Sequence, residues 1–254
     1  MEALLQLNDV SVNFSGLKAL SNVSFNSYAG EVRAVIGPNG AGKTTLFNAI
    51  SGYVPSTSGT ISFRGESLTG LPPHDISIKG VRRTFQTGGL FPEMTALENV
   101  LAGLHVEIKS GFFGIILGLP EAREAEREAL ERARRLLDLM DLGGAAEQPV
   151  KDLSGGQQRM VEIVRTLATE PPLLLLDEPV VGLSPPMRDR MMDIIRRLAG
   201  EEGIGIMLIE HVIDLVMSGS DTIVVLSSGE LIAEGSPQEV RQNREVLEAY
   251  LGHA

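Results

Sequence analysis

The sequence predicts an α/β fold: an open sheet carrying a glycine-rich loop, with a helical insertion. Three observations predict it. The apolar run Val32 to Ile36 leads into Gly37-Pro38-Asn39-Gly40-Ala41-Gly42-Lys43-Thr44, and Leu46, Phe47 and Ile50 follow at helical spacing. Strand, glycine loop and helix therefore succeed one another. A second apolar run, Leu173 to Leu176, stands between Pro171-Pro172 and Asp177-Glu178-Pro179 and reads as a strand buried on both faces. Between these runs, from about Thr87 to Gln158, the pattern turns helical.

Taken in order, strand-like segments cover Leu4 to Phe14, Val32 to Ile36, Ile61 to Phe63 and Val81 to Phe85. In the insertion, Ala122, Ala125, Ala129, Ala133, Leu136, Leu137 and Met140 mark one face of a long helix whose other face is charged and solvated. Leu153-Ser154-Gly155-Gly156-Gln157 opens a further helix: Ser154 and Gln157 form a capping-box pattern, and Met160, Ile163, Val164 and Leu167 continue it. Strands resume at Leu173, Ile206 to Ile209, Thr222 to Leu226 and Leu231 to Ala233. A last helix starts near Pro237 and carries Val240, Val246, Leu247 and Tyr250.

The glycine loop turns backbone N–H groups toward one point, where the following helix adds the positive end of its dipole. Lys43 supplies a full charge to terminal phosphates, and the Thr44 hydroxyl is placed to ligate Mg2+. At the carboxyl end of the leucine strand, Asp177 suits the magnesium shell and Glu178 suits the water that attacks a phosphate. Two glycines in the first turn after Ser154 each cost roughly 1 kcal/mol relative to alanine. That cost makes sense if a phosphate approaches the backbone there, which makes Ser154, Gly155, Gly156 and Gln157 a second anion site. One nucleotide cannot use both sites on one lobe unless another subunit supplies one of them.

These residues resemble the ATP-binding subunits of ABC transporters across essentially the whole chain. The glycine loop, the Leu-Ser-Gly-Gly-Gln segment and the Leu-Leu-Leu-Leu-Asp-Glu-Pro segment stand in that family's order and approximate spacing. The resemblance implies a RecA-like P-loop NTPase core with an antiparallel β subdomain and an inserted α-helical subdomain. It divides a single ABC ATPase domain, 1–254, into a core of 1–86 and 159–254 and a helical subdomain of 87–158 with the signature. It also implies a head-to-tail dimer, a homodimer or a heterodimer with a sister ATPase. ATP is then sandwiched between residues Gly37 to Thr45, including Thr45, of one subunit and the signature of the other.

By the same resemblance, Gln86 in Arg83-Thr84-Phe85-Gln86 touches Mg2+ and lies near the membrane partner, and His211 contacts the γ-phosphate. Phe14 matches the aromatic residue that stacks on adenine. The alternation of Val10, Val12 and Phe14 with Ser11 and Asn13 reads equally as a half-buried strand. Two positions depart from the pattern. Ser184 stands where Asn or Asp is common, and Val212 follows His211 where Asp is frequent; neither change removes a phosphate or magnesium ligand.

The 254-residue chain, 43% hydrophobic, is long enough for a substantial core. It has no cysteine, so disulfides and thiolate metal sites are excluded. No apolar run approaches the roughly 20 residues that span a bilayer, and the acidic start lacks a signal sequence. The expected location is cytoplasmic, peripheral on the cytoplasmic face of the inner membrane. A net charge of −11 argues against nucleic acid as the main partner.

The segment Gly111 to Pro120 reads either as packing within the insertion or as a docking turn. With Arg-Thr-Phe-Gln and the closing Tyr250-Leu251-Gly252, it is similar to branched-chain amino-acid importer ATPases. The expected function is hydrolysis of ATP to power uptake of branched-chain or related amino acids through integral-membrane permease subunits, indirectly serving a solute-binding protein. The alternatives are the same motor serving another small polar solute, such as urea or an amide, and a non-transport soluble ABC ATPase. A GTPase is disfavoured because no Asn-Lys-x-Asp guanine reader occurs.

Overall fold

The computed structural model describes residues 2–84, 89–104 and 120–251, so Gln86 and the Gly111 to Leu119 stretch lie outside the described residues. The chain forms two compact units, residues 1–83 with 172–254 and residues 84–171.

The first unit opens with an antiparallel hairpin, β1 (Leu5–Phe14) and β2 (Leu17–Ser27). Strand β3 (Val32–Ile36), buried at all five positions, leads through the glycine loop into α1 (Lys43–Ile50). Strands β4 (Ser58–Phe63) and β5 (Glu66–Ser67), helix α2 (Pro73–Ile78) and strand β6 (Val81–Arg83) follow. The second unit contributes α3 (Ala96–Leu104), α4 (Pro120–Leu139) and α5 (Gly155–Leu167). The chain then returns through β7 (Leu173–Asp177), α6 (Pro185–Glu202), β8 (Gly205–Ile209), α7 (Ile213–Gly219), β9 (Thr222–Ser227) and β10 (Glu230–Gly235). Two short helices, α8 (Pro237–Gln242) and α9 (Arg244–Leu251), stand where one is expected; Asn243, extended at φ −74 and ψ 123, separates them.

The strands make two sheets. One is antiparallel, in the order β2-β1-β4-β5; the other runs β10-β9-β3-β8-β7-β6 and is parallel except for the edge strand β10. Strand β2 and the two-residue β5 are elements that the periodicity did not predict. In β2, Leu20, Val23, Phe25 and Ser27 face inward, but Asn22 at φ 47 breaks the alternation. Leu173 to Leu176 are wholly buried, as two covered faces require. Leu46, Phe47 and Ile50 of α1 share one hydrophobic cluster with Leu5 and Leu7 of the antiparallel sheet and Leu173 and Met207 of the parallel one. This packing fixes the helix, and with it the loop at its start.

In the second unit, α4 is buried progressively toward its end: Ala125 and Ala129 are half-buried, whereas Ala133, Leu137 and, just beyond the helix, Met140 are buried. Buried Asn99 of α3 pins the preceding loop, accepting from the Phe91 N–H and donating to the Phe91 and Thr95 carbonyls.

Candidate functional site

Strand order determines the site. Strand β8 lies between β3 and β7, so the glycine loop after β3, the carboxylates at the end of β7 and His211 beyond β8 all lie at the same, carboxyl edge of the sheet. An open cleft of about 590 Å³ there is lined by Phe14, Asn39 to Thr45, Glu178 and His211. Leu17, Lys18, Ala19 and Ser228, which the sequence reading did not single out, line it as well. They come from the β1–β2 and β9–β10 hairpins, whose approach to the loop no local pattern announces.

The loop is shaped by contacts behind it. Gly37 has φ 150, and a Cβ there would lie 2.1 Å from the Leu226 carbonyl oxygen. Gly42, at φ 101, would place a Cβ 2.6 Å from the Ala19 carbonyl oxygen. Both positions therefore exclude side chains. Lys43 is buried, and its Nζ donates to the Gly37 and Pro38 carbonyls at 2.8 and 2.9 Å. Burial lowers the Lys43 pKa from its ordinary value, opposed by the negative charges of Glu178 and Asp177. No side chain caps the N–H groups in the first turn of α1. From the C-terminal helix, the Tyr250 oxygen is hydrogen-bonded to the Gly37 backbone; burial raises the phenol's pKa and this bond opposes the rise.

The carboxylates behave differently from each other. Asp177 is buried and paired with Arg83. Glu178 reaches the cleft, with its backbone in the left-handed region at φ 51, a conformation that non-glycine residues rarely adopt. Its Oε1 lies 2.7 Å from His211 Nε2, and its backbone N–H donates to the Ile209 carbonyl at 2.9 Å. Glu210, also not singled out by the sequence reading, is buried beside them, with a carboxyl pKa raised by desolvation and opposed by the Val180 and His211 N–H groups.

Phe14 does not join Val10 and Val12 in the core: it is 45% exposed on the cleft, beyond register shifts in the β1–β2 pairing. The signature residues lie in the second unit. Ser154 and Gln157 complete the capping box of α5, the Ser154 hydroxyl accepting from the Gln157 N–H. A Cβ on Gly155 would meet open space, so nothing in the chain's own packing demands glycine there. Ser184 begins α6 without a side-chain cap bond.

Among known proteins, the model of the ABC transporter family matches residues 20–181, and that of the branched-chain amino acid ATP-binding cassette transporter matches residues 230–254. The chain is 42% identical to the high-affinity branched-chain amino acid transport ATP-binding protein BraF of Pseudomonas aeruginosa, over 99% of this chain and 98% of that protein. It is 42% identical to the corresponding protein LivG of Escherichia coli, over 100% and 99%. Among solved structures, an ATP-binding cassette of an ABC transporter in its ADP conformation superposes with a TM-score of 0.86 at 32% identity, covering 99% of this chain and all of that one. A dimeric bacterial ABC transporter cassette gives a TM-score of 0.78 at 27% identity, covering 92% and 98%.

Proposed function

Because this chain belongs to the ATP-binding subunits of ABC transporters, within the branched-chain amino-acid type, we propose that its ATP hydrolysis drives uptake of branched-chain amino acids through partner permeases. The observation that carries the chemistry is the convergence of Lys43, Glu178 and His211 on one cleft. The cargo reading leans on the relatives and on the match at residues 230–254.

The residues suit ATP. Lys43, held by two loop carbonyls, shares its ammonium with the terminal phosphates, while the first turn of α1 and the Thr45 hydroxyl take the remaining oxygens. Phe14 stacks on the adenine. Glu178 orients the attacking water and takes its proton, and His211 holds Glu178 on one side and the γ-phosphate on the other. Thr44, Asp177 and Gln86 are the residues that would hold Mg2+, which when bound would supply positive charge to the phosphates. Among the described residues no group of three His, Cys, Asp or Glu side chains forms a cage.

A second ATPase, identical or related, completes each site with its Ser154-to-Gln157 turn, and the open space above Gly155 supports this reading. The helical subdomain, 87–158, presents that turn. Closure of the pair on ATP moves the permeases, and hydrolysis resets them. The subunit is peripheral on the cytoplasmic face of the membrane; no described helix is long and apolar enough to cross it.

The test is mass spectrometry of what co-purifies from gently solubilised membranes of the native host, paired with uptake of labelled leucine, valine and urea. Two permeases, a related ATPase and uptake of leucine and valine that requires Glu178 are expected. Soluble partners alone, from a preparation still hydrolysing ATP, would replace this reading with a non-transport ABC ATPase. Uptake of urea alone would replace the cargo.

A further inference from the structure

Glu210 follows β8 directly and precedes His211, yet its side chain turns inward and is 1% exposed. Its Oε1 accepts the Val180 N–H at 2.9 Å, and its Oε2 accepts the N–H of His211 at 3.2 Å. Val180 lies in the turn that Glu178 opens, where the Val181 N–H donates back to the Glu178 carbonyl at 3.3 Å. One carboxylate thus clamps two segments, each carrying half of the Glu178–His211 pair. The Glu178 N–H on the Ile209 carbonyl and the 2.7 Å side-chain contact also join those segments.

A buried carboxylate is an expensive way to satisfy two N–H groups. Its geometry explains the expense: two oxygens on one rigid plane fix the spacing between their donors, which a hydroxyl or a single carbonyl cannot do. The constraint is applied beside Glu178, whose φ of 51 needs support from its surroundings.

We propose that Glu210 is a positioning residue for ATP hydrolysis, holding the turn after Glu178 and the backbone of His211 at the separation that keeps their side chains in contact. The inference rests on the reading that Glu178 and His211 act at the γ-phosphate. Glu210 itself touches no nucleotide in this scheme; it acts through the other two.

The experiment compares Glu210→Ala and Glu210→Gln with Glu178→Gln and His211→Ala in the full chain. It measures kcat and KM for ATP and the imidazole 1H–15N signal of His211 without nucleotide at fixed pH. Glutamine retains an acceptor for one N–H group and loses the other; alanine removes both. The expected result is a kcat lowered by at least about tenfold in the alanine variant and by less in the glutamine variant, with KM within about twofold. The His211 signal moves in both, in the direction seen with Glu178→Gln.

A kcat within about twofold of the parent in both variants, a loss residing in KM, or an unmoved His211 signal overturns the proposal. Should the alanine variant fail to fold, the near-isosteric glutamine variant decides by the same criteria. Near-normal turnover in Glu178→Gln and His211→Ala sinks the underlying site reading instead. Loss in those two with the Glu210 variants unchanged sinks only the role of Glu210.

Discussion

Arg83 Nη2 lies 2.8 Å from Asp177 Oδ2, with the two side chains only 5% and 4% exposed. The same guanidinium donates through Nη1 to Asn48 Oδ1 at 2.6 Å and Ser51 Oγ at 3.2 Å, and it sits over the Phe47 ring. One side chain from β6 therefore joins the carboxylate ending β7 to the helix that follows the phosphate loop.

Arg83→Met keeps much of the side-chain volume but removes the charge, leaving a buried carboxylate without its guanidinium. Loss of one partner of a buried pair costs about 3–5 kcal/mol. Urea unfolding should show a loss of that order, partly recovered by adding Asp177→Asn. A single variant within about 1 kcal/mol of the parent would mean that the pair does not hold this part of the core.

For the chemistry, Glu178→Gln and Lys43→Ala should separate turnover from binding. The first preserves shape and removes the proton acceptor, so turnover falls about 10²- to 10⁴-fold while affinity for a fluorescent ATP analogue holds. The second removes a charge that the loop keeps buried at its centre. Affinity itself should then fall, roughly tenfold to a hundredfold for the loss of charge-assisted bonds. Near-normal turnover in Glu178→Gln would remove it from the role of base.

Much of this site was legible in the sequence because its signals are local. A glycine loop after an apolar strand, and a carboxylate pair after a wholly buried one, each announce their own place on the sheet edge. Phe14 was ambiguous for a physical reason: alternation puts it inward with Val10 and Val12, whereas the register shifts between β1 and β2 leave it 45% exposed on the cleft. Arg83 and Glu210 were invisible as functional positions. Their importance arises from pairings 94 and 30 residues away in the chain, and a charged residue beside a strand ordinarily faces solvent. Strand β2 escaped because Asn22 interrupts its period.

Two glycines of the loop make a controlled comparison. Gly42 and Gly40 both have positive φ, 101 and 79, but a Cβ on Gly42 meets the Ala19 carbonyl at 2.6 Å whereas one on Gly40 meets nothing within 4 Å. Alanine at 40 should cost only the backbone strain, about 1–2 kcal/mol. Alanine at 42 adds a steric clash with backbone and should cost at least about 1 kcal/mol more, read as a larger drop in Tm. Equal costs would show that the β1–β2 hairpin yields freely to the loop.

Glu210 also makes stability depend on pH, with a sign that can be worked out. Burial raises its carboxyl pKa, Glu178 adds to the rise, and the Val180 and His211 N–H groups and the His211 charge oppose it. A raised pKa means that the folded state holds the proton more tightly than the unfolded chain does. The stabilisation is complete below the ordinary carboxylate value, about 4.3, and disappears as pH rises through the folded value. Glu210→Gln has no such proton to lose. The stability of the parent relative to this variant should therefore decline as pH is raised from about 4 to about 7, measured by urea unfolding at each pH. A difference that grew with pH would mean that the two N–H groups outweigh burial and hold the carboxylate ionised.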